Sequence, residues 1–171
     1  ASVDRLSGGR VTLGVGLGAL HGNWLAFEAD EGRAVRAAKL DEVLDVYAGL
    51  MGGQPFSYAG KHFSASPVTE LVPPPPVQRP HPPVWCVGML VPGRTRQRSL
   101  ERAARWQGVF PAVAGGSLEE PGSHLTPQSL RELVERIGVL RAEAGLTMVD
   151  YDVVVEGDSH GDFGSVRPPV R

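Results

Sequence analysis

Cysteine is nearly absent: Cys86 is the only one in 171 residues. A single thiol excludes an intrachain disulfide and a multi-cysteine zinc site. Lysine is scarce as well, since Lys39 and Lys61 are the only lysines among 17 basic residues. We read that bias as genome composition before function. Neither sign of charge dominates, with 17 basic residues against 19 acidic ones and a net charge of -2. That balance argues against a nucleic-acid groove or an anionic membrane face as the main partner. No run approaches the roughly 20 apolar residues of a membrane span. The N-terminus carries no basic-then-apolar signal pattern, so a cytoplasmic protein is expected. His21, His62, His81, His124 and His160 are scattered without HxH or HExxH spacing, and no metal site is expected. Ser7, Ser57 and Ser99 lie outside any GxSxG elbow, which leaves a serine hydrolase without support.

Chain punctuators are abundant instead: 22 glycines and 15 prolines. With 42% of residues hydrophobic, the chain can still bury a core, and one compact domain is the natural expectation. Residues 10–16 alternate Val11, Leu13 and Val15 and predict a first strand, followed by Gly14, Gly16 and Gly18. Leu40, Val43, Leu44, Tyr47 and Leu50 share one helical face over residues 33–50, with Gly52 and Gly53 as the stop. Residues 54–64 fit a short hairpin with Gly60 at the bend. Pro73 to Pro76, Pro80, Pro82 and Pro83 form an extended connector, the alternative being a ligand for a proline-recognising domain.

Residues 84–88, VWCVG, are a continuous apolar run, which predicts a strand buried on both faces. A helix is expected over 97–106, a third strand at 108–111 or slightly beyond, and a helix from Thr126-Pro127 to about 144. Leu130, Leu133, Val134, Ile137 and Leu140 lie on its apolar face, and Gly145 fits its C-terminal cap. Residues 151–156 complete the order β-α-β-α-β-α-β, hence a parallel sheet with right-handed crossovers. Residues 1–157 form the domain and 158–171 an irregular tail.

Gly14-Val15-Gly16-Leu17-Gly18-Ala19 fits the loose dinucleotide pattern GxGxxG/A. A Rossmann unit would need a helix directly after these glycines and a second strand before residue 33. The other readings are close approach of a flat ligand at a strand's carboxyl end, or relief of crowding. Arg94, Arg96 and Arg98 follow the second strand at a helix start. They read as a phosphate site, or as a solvated arginine-rich turn. Cys86, mid-strand, reads as a buried structural thiol. Asp41, Glu42 and Asp45 read as a solvated helix face, and Glu156 is the acid at a strand end.

Several segments together resemble the luciferase-like monooxygenase family, the flavin- or deazaflavin-dependent barrels related to bacterial luciferase. They are LSGGRVTLGVGLG (6–18), RAAKLDEVLDVYAGLMGGQPFSYAGKHF (36–63), PPPPVQRPHPPVWCVG (73–88), RAARWQGVFP (102–111), LTPQSLRELV (125–134) and YDVVVEG (151–157). The resemblance implies an α/β fold, a partial (β/α)8 TIM barrel holding about the fourth to seventh strands. It implies reduced FMN or coenzyme F-420 at the carboxyl ends of the strands, and a small-molecule substrate. Gly16 and Gly18 would face the ring, while Gly88, Met89, Gly93 and Arg94 would help hold the cofactor phosphate. Gln107 stands where the RAARWDG-like segment usually has Asp.

The expected function is therefore a flavin- or deazaflavin-dependent oxidoreductase or monooxygenase of the luciferase-like type. A full barrel needs about 250 residues and eight strands. Four strands imply a truncated chain, or one that closes by pairing with a second copy as a homodimer. The alternative is a non-catalytic remnant of the barrel, acting as a homodimer or partner subunit.

Overall fold

The computed structural model describes residues 1–18, 26, 29–53, 55–69, 74–114 and 125–155. A short helix α1 (Ser2–Ser7) precedes strand β1 (Leu13–Val15) and helix α2 (Arg33–Met51). A hairpin follows, β2 (Phe56–Ala59) and β3 (Ser64–Val68). Then come β4 (Val84–Leu90), α3 (Arg98–Arg105), β5 (Gly108–Val113), α4 (Pro127–Glu143) and β6 (Asp152–Val153). The main sheet has the order β1-β4-β5-β6, and every pairing in it is parallel. That is the expected alternation of parallel strands and helices. The hairpin forms a separate antiparallel pair.

The strand boundaries differ from the sequence reading in both directions. β1 and β6 are shorter than the patterns at 10–16 and 151–156. β4 and β5 run further, to Leu90 and Val113, because six consecutive residue pairs link them from Trp85 with Gly108 to Leu90 with Val113. The expectation that β4 is buried on both faces needs correction. Val84, Cys86 and Leu90 are fully buried, whereas Val87 is 40% exposed. The run lacks polar residues on either side, but only one side is covered by helices.

That covered side holds the core. Val84, Cys86 and Leu90 of β4 and Val109 and Val113 of β5 meet Leu44 of α2, Leu100, Ala103 and Ala104 of α3, and Leu133 and Ile137 of α4. Gly88 belongs to this side. A Cβ there would lie 2.6 Å from Val109 Cγ2 and 3.0 Å from Leu100 Cδ2, so its bare backbone lets α3 approach the sheet.

Polar groups stitch the helices to the sheet. The buried Arg102 of α3 donates to Asp41 of α2 at 2.6 and 3.0 Å. Arg105 pairs with Asp45 at 2.9 Å. Glu42 accepts the backbone N–H groups of Lys61, His62 and Phe63 at the hairpin tip, at 2.9 to 3.1 Å. Asp41, Glu42 and Asp45 are thus structural partners and not a solvated face. Buried Arg141 of α4 donates to the carbonyls of Ala104 and Trp106 at 2.8 and 2.9 Å, and to Thr147 at 2.7 Å. Its guanidinium lies 4.4 Å above the Tyr151 ring. Tyr151 in turn donates its hydroxyl to the Ala103 carbonyl at 3.0 Å.

Helix ends follow their local chemistry. Thr126 caps α4 in a reciprocal box with Ser129, as Thr126-Pro127 predicts. The α1 helix was not expected. Its Asp4 is buried and accepts from Val77 and Gln78, holding the proline-rich connector. Among the described residues, no helix is long and apolar enough to cross a membrane.

Candidate functional site

The side of the main sheet away from the helices forms a second surface. Strand alternation puts Trp85, Val87 and Met89 of β4 on it. The β4–β5 register sets Gly108, Phe110 and Ala112 beside them. Gly14 and Gly16 complete it from the β1 side: a Cβ at Gly14 would lie 3.1 Å from the Phe110 ring, and one at Gly16 3.2 Å from Val87 Cγ2. Trp85 packs edge-on to Phe110, with ring centroids 5.6 Å apart. Its indole N–H donates to Asp152 Oδ2 at 2.9 Å. The result is a nearly flat apolar face with glycines at one margin. Among the described residues no helix covers it.

The carboxyl ends of the strands make the rim of this face. Met89 sits there, its backbone N–H donating to Ser99 Oγ at 3.1 Å. The chain then turns at Val91-Pro92-Gly93-Arg94. Arg94 N–H donates to the Val91 carbonyl at 3.1 Å, and Gly93 has φ 74°. Pro then Gly at the centre, with positive φ on the glycine, is the signature of a type II turn. Gln97 locks it, accepting from Val91 N–H at 2.7 Å and donating to the Arg94 carbonyl at 2.8 Å. The turn presents the exposed Arg94 side chain to solvent. Arg96 pairs with Glu101 at 3.5 Å, and Arg98 opens α3. On the opposite rim, Arg33 reaches from α2 to within 3.7 Å of Met89 Sδ.

The six residues singled out from sequence therefore divide. Gly16 borders the open face, and Gly18, with φ 73°, follows it in open space. Met89, Gly93 and Arg94 lie at the carboxyl end of β4. Gly88 is on the other side of the sheet, among Leu100, Ala103 and Val109. Glu156, His21, His124 and His160 fall outside the described residues, as does most of the 19–33 segment on which a Rossmann strand would depend. Gln97 and Arg33 were missed. The Pro-Gly turn signal points to the first, but nothing local marks the second, whose contact spans 56 residues.

No activated nucleophile lies on the open face. Burial among apolar side chains pushes the Cys86 thiol up to about 12, and Cys86 faces the helices. Burial likewise pushes Tyr47 up to about 12. Among the described residues, no group of three His, Cys, Asp or Glu could hold a metal ion. What the face offers is a floor for a flat apolar ligand, with guanidinium groups above its upper edge.

Residues 1–159 match the family model described as luciferase-like monooxygenase. The chain belongs to the luciferase-like monooxygenase family. One curated relative is the uncharacterized protein y4wF of Sinorhizobium fredii, 37% identical over 83 residues, covering 48% of this chain and 23% of that protein. The fold is also that of the monooxygenase RslO1 from Streptomyces bottropensis. That match has a TM-score of 0.65 and 24% identity, covering 91% of this chain and 42% of the solved one. The chain thus spans less than half the length of these luciferase-like relatives. Gln107, at the family's usual Asp position, has a visible task here: its amide oxygen accepts the Val84 N–H at 3.0 Å, fixing the start of β4.

Proposed function

We propose that this chain supplies part of the cofactor platform of a luciferase-like oxidoreductase, with reduced FMN or coenzyme F-420 as the group it holds. The observation that carries this reading is the open face itself. It has an apolar floor of Val87, Met89 and Phe110. At its margin Gly14 and Gly16 lack the side chains that would rise over it. A planar ring fits such a surface. Gly16 and Gly18 would border the ring, and Met89 would lie beneath its edge. The Gly93 turn and Arg94 would take the phosphate, since a guanidinium matches phosphate oxygens in a bidentate way. Gly88 contributes by bringing α3 against the sheet, which fixes the strand that carries Met89.

When bound, a flavin supplies oxygen activation for monooxygenation, and a deazaflavin supplies hydride transfer. The residues of this chain bind, orient and exclude water. Asp152, held by the Trp85 indole, is the one carboxylate seen on the open face among the described residues. Its position opposite Gly108 puts it at the amino ends of β4 and β5, away from the rim. It therefore fits a packing role better than proton transfer. A small-molecule substrate would lie over the same face.

Titration of FMN and of F-420 with the protein, followed by fluorescence anisotropy, tests this. A saturable rise for one of them is expected. A flat response for both at high protein concentration would sink it.

A second reading is favoured by the uncovered face and by β1 and β6 as outer strands of the sheet. In it the chain is a non-catalytic barrel remnant that closes against a second copy as a homodimer, or against a partner subunit. Size-exclusion mass decides between a dimer and a folded monomer.

A further inference from the structure

We infer that Arg33 anchors the anionic end of the substrate, a flat apolar compound carrying a carboxylate or a similar anion. This rests on the reading of the open face as the ligand platform, and adds the class of substrate.

Arg33 is the first residue of α2, a helix that packs on the covered side of the sheet. Its side chain nevertheless crosses to the rim of the other face, where a guanidinium N–H lies 3.7 Å from Met89 Sδ. Met89 is paired in register with Ala112, one of the open-face residues nearest the carboxyl ends of the strands. An outer helix thus places a cation over the edge of an apolar floor.

The cation is also free. The two acids just before α2 are engaged by cations further along the helix: Asp30 with Arg36, and Glu31 with Lys39. Glu101, on the next helix, pairs with Arg96. Arg33 makes no ion pair among the described residues. A thioether is a weak acceptor, while a guanidinium carries five N–H donors in a fixed fork. Most of that donor capacity remains available to a ligand. A predominantly apolar site with a few placed polar groups gains orientation from one such charge. A carboxylate matches the fork in a bidentate way.

Arg33 and Arg94 come from different elements and reach the rim separately. With Arg94 assigned to a cofactor phosphate, Arg33 is left for a second anion. A cofactor phosphate and a substrate carboxylate share the same chemistry toward guanidinium, so the test must separate them.

The probes are 2-naphthoate and its neutral amide, followed by fluorescence anisotropy, together with FMN and riboflavin. The proteins are the wild type, Arg33→Leu, Arg33→Lys and the surface control Arg131→Leu. Circular dichroism checks folding, which exposed Arg33 leaves intact. The expected result is that wild type and Arg131→Leu prefer 2-naphthoate over the amide by about tenfold. Arg33→Leu loses that preference, Arg33→Lys keeps part of it, and FMN binding is unchanged in both. A preference that survives Arg33→Leu overturns the inference. Weakened FMN binding with unchanged riboflavin binding in Arg33→Leu also overturns it, because the anion held would be the cofactor phosphate. FMN binding without any preference for 2-naphthoate overturns this inference alone. Failure of both FMN and F-420 to bind overturns the proposed function and this inference with it.

Discussion

The two faces of strand β4 carry side chains of similar apolarity into different surroundings. Val84, Cys86 and Leu90 point toward the helices and are fully buried. Trp85, Val87 and Met89 alternate with them and stay partly open, Val87 to 40%. Burial on the first face is completed by side chains of α2, α3 and α4. On the second it is left to a ligand or another protein surface. The same strand therefore serves stability through one set of alternate residues and binding through the other. A substitution should report on one or the other according to its parity.

The largest effect separating the faces is expected from a matched pair of truncations. Leu100→Ala removes a fully buried side chain from under β4 and should cost about 2–5 kcal/mol of stability. Val87→Ala on the open face should cost less than about 1 kcal/mol. Urea unfolding of both variants measures the difference, and equal losses would break the comparison.

A glycine pair probes the same contrast with smaller changes. Gly88→Ala forces a methyl group against Val109 and Leu100 and should destabilise by about 1–3 kcal/mol. Gly16→Ala meets only the partly exposed Val87 and should leave stability within about 0.5 kcal/mol, while weakening FMN binding. Thermal melts and FMN titration together distinguish the two outcomes.

The helix-covered side should also be the one that responds to acid. Burial raises the Glu42 carboxyl, but the backbone N–H groups of His62, Phe63 and Lys61 outweigh it and hold the group below its ordinary value. A carboxyl lowered by folding stabilises the protein above its unfolded value. That contribution is lost as pH falls through the lower, folded value. Wild-type stability should therefore drop on acidification over this range, and Glu42→Gln should show a shallower drop. A pH series of denaturation midpoints checks this.

The smallest effect is an expected silence. Cys86, with its thiol pushed up to about 12 and no exposure, should not react with a thiol reagent at neutral pH until the protein unfolds. One equivalent of label should then appear at once in denaturant. Rapid labelling of the folded protein would mean that the helix-covered face is not sealed.

Much of this division was legible from residue order, and some of it was not. Thr126-Pro127 announced the start of α4, because capping is a local matter. The alternation of strands and helices came through for the same reason. The sidedness of β4 did not, since VWCVG is apolar on both sides and only the absence of a second cover distinguishes them. Asp41, Glu42 and Asp45 looked solvated because their partners stand far along the chain, Arg102 and Arg105 in α3 and the hairpin tip at residues 61–63. Gly88 was grouped with the rim by its place at the end of an apolar run, whereas parity turns it to α3. Met89, one residue on, was placed at the rim because parity and position agree there.

Arg141 ties segments that would otherwise open separately. Its side chain bridges the carbonyls at the end of α3 to the turn beyond α4, and its own carbonyl accepts the Leu146 N–H at 2.8 Å. Unlatching either segment disrupts the hydrogen bonds of the other. In native-state hydrogen exchange the amides of Trp106, Gly145 and Leu146 should therefore behave as one cooperative unit with a shared opening free energy.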